Sequence, residues 1–195
     1  MGVSLTVYTT DFKRFLALFG CQDFEVLKQI VLANEELLDE EELPMNAREK
    51  DEGEPFIREL LAEFVVNDIE NINFHGPCAN AISMMINFCS NSLESQERAD
   101  IGEYKKLDPL LIKHGFPKSF SSSTALNGGL PAPFPKFEFE TFGHVPPEEI
   151  QRIASNLKPI DVLGVAPDLA RRVIKFIAWV KAAAAENTGL IFVWS

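Results

Sequence analysis

The stretch that most constrains this chain is Leu190-Ile191-Phe192-Val193-Trp194, five consecutive apolar residues with no polar side chain to turn toward water. A near-continuous apolar run of that kind is consistent with a buried strand, which cannot stand alone. Val3 to Thr9 offers one partner, because Val3, Leu5 and Val7 alternate with Ser4, Thr6 and Tyr8 at the period of a half-buried strand. Pairing the N- and C-terminal strands in one small sheet is the economical solution. Phe137, Phe139 and Thr141 alternate with Glu138, Glu140 and Phe142, which predicts a third, short strand near 137–142.

Helical spacing accounts for most of the remainder. After Asp11, residues Phe12, Phe15, Leu16 and Phe19 share one face and Gly20 suits a left-handed stop. Asp23 is placed to cap a helix through Ala33, with Phe24, Leu27 and Val31 on one side and Ile30 beside them. Pro55 and Pro77 each stand at a helix start, where a missing N–H costs nothing. The first opens a stripe of Ile57, Leu60, Leu61, Phe64 and Val65; the second opens an uncharged helix to about Cys89 whose polar stripe is Asn80, Ser83 and Asn87. Further helices are predicted over Tyr104 to Lys113, from Pro147 until Pro159 ends it, and from Pro167 to Glu186 with Gly189 as its stop.

Helical residues outnumber strand residues and do not alternate with them regularly, so the fold class is α+β, predominantly helical, with the sheet as its smaller part. A length of 195 residues fits a single domain over 1–195. It carries an acidic loop at about 43–54 and a Pro/Gly-rich segment at 115–147.

The net charge of −11 is concentrated: between Asn34 and Glu54 ten acids stand against Arg48 and Lys50. A negative field excludes nucleic-acid backbones and acidic membrane surfaces as ligands, since both are bound through Lys and Arg. Met1 to Tyr8 carry neither a basic nor a long apolar stretch, so no secretory signal is expected, and no run is long and apolar enough for a membrane span. Three cysteines, Cys21, Cys78 and Cys89, then point to reduced thiols in a cytoplasmic protein.

Local catalytic signatures are missing: there is no Gly-rich phosphate loop, Cys-x-x-Cys, His-Glu-x-x-His or Gly-x-Ser-x-Gly. No catalytic residue, metal site or cofactor is therefore assigned, although an enzyme built from distant segments leaves no such signature. His75 and Cys78 are the nearest approach to a base and nucleophile, but a Cys on an apolar helix face is ordinarily a small hydrophobe. The polar stripe of the uncharged helix, with His75 and His144, marks a candidate pocket: His75, Asn80, Ser83, Asn87 and His144. The alternative is that the stripe bonds to a neighbouring loop. Glu40, Glu41 and Glu42 mark a candidate acidic docking surface, against the alternative of a solvated face.

Several segments together resemble a group of small bacterial proteins classed as domains of unknown function. They are Met1-Gly2-Val3-Ser4-Leu5-Thr6-Val7-Tyr8, His75-Gly76-Pro77, Leu130-Pro131-Ala132-Pro133-Phe134-Pro135 and Phe142-Gly143-His144-Val145-Pro146-Pro147-Glu148-Glu149, with the Trp179 helix leading into Leu190 to Trp194. The first and last segments also resemble the YfbM-like family, which opens on a similar strand and closes on a similar helix and strand. The resemblance covers nearly the whole chain and implies no activity, cofactor or catalytic residue.

Three functional readings follow. The first is a non-enzymatic cytosolic binding protein, an inhibitor or immunity-type partner of a basic protein. The second is a small-molecule enzyme or sensor with its pocket at the uncharged helix. The third is a structural homo-oligomer joined through Phe side chains between Phe116 and Phe142.

Overall fold

The apolar run from Leu190 to Trp194 is an inner strand of a four-stranded sheet. The computed structural model describes residues 4–39, 56–68, 72, 78–96, 101–131, 134 and 142–194. Across the sheet the strands lie in the order β2 (Ser90–Gln96), β1 (Leu5–Thr10), β4 (Gly189–Trp194) and β3 (Phe142–Val145). β1 runs antiparallel to β4, with Leu5 opposite Trp194 and Thr10 opposite Gly189; on the other side Phe142 faces Val193 and Val145 faces Leu190, again antiparallel. Every residue of β4 is buried and both its edges are paired, so neither its side chains nor its backbone groups look to water.

The terminal strands pair as expected. The strand anticipated near 137–142 is met at its last residue, since β3 starts at Phe142; residues 137–141 lie outside those described. β2 was not anticipated. Its sequence, Ser-Asn-Ser-Leu-Glu-Ser-Gln, has no apolar alternation, and at the margin of a sheet none is required.

The described residues fall into two compact units, one from Met1–Phe12 and Asn91–Ser195, the other from Lys13–Ser90. In the first, α9 (Pro167–Glu186) buries Val173, Phe176, Ile177, Val180 and Ala183 in the core that contains Leu190 and Phe192. Phe176 stacks on Phe192 at 6.1 Å between ring centroids, and Phe116 and Phe120 meet Phe176 edge-on at 5.9 and 5.7 Å. Such offset and edge contacts add to the area that large rings bury.

Two helix ends differ from expectation. The stop of α9 is Asn187, at φ 55°, whose N–H bonds back to Ala183 and Ala184, whereas Gly189 begins β4. A Cβ on Gly189 would lie 2.8 Å from the Val145 carbonyl, so that position serves close packing. Tyr104 to Lys113 is not one helix: α5 (Ile101–Tyr104), a 3-10 turn (Lys105–Leu107) and α6 (Asp108–Lys113) follow one another. Pro109, in the first turn of α6, has no N–H with which to continue an incoming helix.

A short helix, α7 (Ser122–Asn127), occupies the Pro/Gly-rich segment. The indole of Trp194 donates to the Leu126 carbonyl at 2.7 Å, fixing the end of α7 to β4. α8 (Pro147–Asn156) starts at its proline, with Glu148 and Glu149 in its positive first turn.

The second unit begins at Lys13 within α1 (Phe12–Leu16), from which the chain leads through Gly20, at φ 65°, into α2 (Phe24–Ala33). α3 (Ile57–Val66) buries the anticipated stripe of Ile57, Leu60, Leu61, Phe64 and Val65, and α4 (Cys78–Cys89) buries seven of its twelve residues. α2, α3 and α4 pack on one another. No helix among the described residues is long and apolar enough to cross a membrane.

A close backbone approach tests this packing. A Cβ on Gly143 would lie 2.2 Å from both the Ala125 oxygen and the Leu126 carbonyl carbon, whereas one on Gly164 would meet nothing within 4 Å. Gly143→Ala should cost about 3 kcal/mol or more by overpacking, against about 1 kcal/mol for the left-handed strain of Gly164→Ala. Denaturant midpoints check this, and equal losses would contradict it.

Candidate docking surface

α2 starts because the Asp23 carboxylate accepts from the backbone N–H groups of Glu25 and Val26, at 2.9 and 3.4 Å, and Glu25 adds negative charge to the positive first turn. Of its stripe only Ile30 is buried; Leu27 and Val31 are half-buried and Phe24 is 68% exposed, while Leu32, off the stripe, is 58% exposed. The amphipathic pattern is real, but its apolar face is only partly covered.

What holds α2 in place is polar. Asn34, just past the helix, is 2% exposed, and its amide nitrogen donates to the Ile30 carbonyl at 2.8 Å and the Met84 carbonyl at 3.3 Å. Its side-chain oxygen accepts from Asn87 at 3.1 Å. One buried amide thus ties the end of α2 to α4 and satisfies three of its four hydrogen-bonding positions. Residues 35–39 continue as a helical turn, with Leu38 buried and Asp39 held by Arg58 of α3 at 3.1 Å.

These anchors leave an exposed surface. Leu32, Ala33, Asn34, Glu35, Glu36 and Leu37 line a depression of about 410 Å3, in which Leu37 is 47% exposed. Glu35 and Glu36 are exposed and form no ion pair among the described residues. An apolar pair rimmed by unneutralised acids suits a partner carrying both apolar and cationic groups.

Glu40, Glu41 and Glu42, and also His75, lie outside the described residues. Of the polar stripe on α4, Asn80 and Asn87 are exposed; Ser83 is half-buried and donates to the Ala79 carbonyl one turn back at 2.9 Å. Asn87 is spent on Asn34. His144 sits on β3 in the other unit, where its Nδ1 donates to the Gly129 carbonyl at 2.7 Å and its ring lies 6.0 Å from that of Phe12. Cys78 is 1% exposed on the packed face of α4, and Cys21 is exposed. Between Phe116 and Phe142, the rings of Phe116, Phe134 and Phe142 are buried within the chain.

The family model described as "Domain of unknown function (DUF7691)" matches residues 1–195. The chain belongs to this family. Among curated proteins and among solved structures nothing matches it.

Asn34 is the residue that sequence reasoning passed over. Asn34→Leu, close in volume, leaves the Met84 carbonyl and the Asn87 amide without this partner and should cost about 2 kcal/mol. Asn87→Ala, at an exposed position, should cost under about 1 kcal/mol, and thermal melts of the two variants check the ordering.

Proposed function

We propose that this protein is a non-enzymatic binding module that docks a basic protein on the acid-rimmed apolar surface where α2 meets residues 35–39. The observation that carries this reading is the pairing of Leu32 and Leu37, both about half exposed, with Glu35 and Glu36 around one depression. Burying the exposed parts of the two leucines supplies about 2 kcal/mol, while the acids, each worth under about 1 kcal/mol as surface charges, act mainly by steering encounter. The sequence that follows is acidic as well, with Glu40, Glu41 and Glu42. A cover over a partner's cationic surface would also block that partner's own anionic substrate, the physical basis of an inhibitor or immunity-type role in the cytoplasm.

Affinity capture from the source lysate at about 0.1 M and about 1 M salt, where the screening length falls from roughly 10 to 3 Å, tests the proposal. A basic protein should be retained at low salt and released at high salt. Retention should fail with Glu35→Lys/Glu36→Lys and with Leu32→Ser/Leu37→Ser, although both variants keep the wild-type circular dichroism. Equal retention by these variants, or no basic protein retained at low salt, would refute it.

A further inference from the structure

On the first unit, away from any acidic run in sequence, the turn after α6 and the end of α8 enclose a cleft of about 370 Å3. Its apolar wall is Ile112, Phe116 and Pro117, with Phe116 held in the core by Phe120 and Phe176. Its charged lining is Lys118, Arg152 and Lys158, and none of the described lining residues is acidic. Arg152 is partly neutralised by Glu149 one turn away, but Lys118 and Lys158 form no ion pair among the described residues. Although the chain carries a net charge of −11, this cleft sets two cations without an ion pair among the described residues beside an apolar wall.

The cleft is held rather than incidental. Gly115, at φ 107°, lets the two backbones touch, since a Cβ there would lie 2.0 Å from the Asn156 carbonyl oxygen. The Lys158 N–H donates to the His114 carbonyl at 3.0 Å. The His114 ring, 1% exposed, lies with Nδ1 3.2 Å from the Pro159 carbonyl oxygen and Nε2 3.1 Å from that of Asp161. Lys113 pairs with the Asp161 carboxylate at 3.2 Å; the Leu163 backbone N–H first, and then Lys113, hold that carboxyl below the usual aspartate range. The segment that carries Lys158 is thus held to the end of α6 by the Lys158 N–H, the His114 ring and the Lys113–Asp161 pair.

We propose that this cleft binds a small amphipathic anion, an organic carboxylate or phosphate ester whose apolar body lies on Ile112 and Pro117 and whose charge is met by Lys118 and Lys158. Lysines serve here as point charges, the apolar wall fixes the body, and the volume limits the ligand to a single ring or short branched chain. The site shares no residue with the proposed docking surface, and either stands without the other.

Backbone amide NMR titrations of the intact protein with phenyl phosphate, benzoate, inorganic phosphate and benzyl alcohol test it. Phenyl phosphate or benzoate should give saturable shifts confined to residues 112–118 and 152–158. Lys118→Gln/Lys158→Gln, exposed changes that leave the remaining spectrum in place, should weaken binding about tenfold or more. Binding of the charged ring unchanged in that variant would overturn the proposal, as would benzyl alcohol or inorganic phosphate binding as tightly as phenyl phosphate, or no saturable shift with any of them.

Discussion

Burial of β4 on both faces is the constraint from which the rest of its unit follows. Five large apolar side chains at about 1.5–3 kcal/mol each amount to roughly the whole net stability of a domain, so a structure that left this strand half wet would not persist. A strand buried on its faces must also be paired on its edges. Val3 to Thr9 lies at the opposite end of the sequence, so the pairing of Leu5 with Trp194 draws together what the chain holds furthest apart. Trp194 then reaches past the strand to hold α7, and Gly143 lets that helix lie against β3.

Where apolar packing does not determine position, buried polar groups do. Asn34 and His114 play parallel parts in the two units: each is almost fully buried, each lies just beyond a helix, and each meets a carbonyl distant in sequence, that of Met84 for Asn34 and those of Pro159 and Asp161 for His114. A buried amide or imidazole is costly unless satisfied, so these contacts admit few alternatives and fix the elements they join. Asn34 leaves the leucines beside it facing outward; His114 fastens the segment that carries Lys158. Both functional surfaces proposed here are therefore by-products of the way their helices end.

The fold was legible where one physical signal dominated. Periodicity placed β1, α3, α8 and α9 close to their bounds, and an unbroken apolar run identified β4. β2 escaped because an edge strand can be polar throughout, and the period of α2 placed the helix without telling how far its apolar face is covered. The candidate site was less legible. Asn80, Ser83 and Asn87 were read as one stripe, and it is Asn87 that meets a helix end, by way of an asparagine 53 residues earlier. Asn34 itself stood out by nothing in its neighbourhood, and His114 was passed over because the carbonyls that hold it follow 45 and 47 residues later.

The claim on which this account turns is that β4 is the inaccessible centre of its sheet. Native-state hydrogen exchange of the amides from Leu190 to Trp194 addresses it directly. Their exchange should require global unfolding, with free energies equal to the stability measured by denaturant. Exchange of these amides as fast as those near the exposed end of α2 would show a strand that opens on its own, and the account would fail.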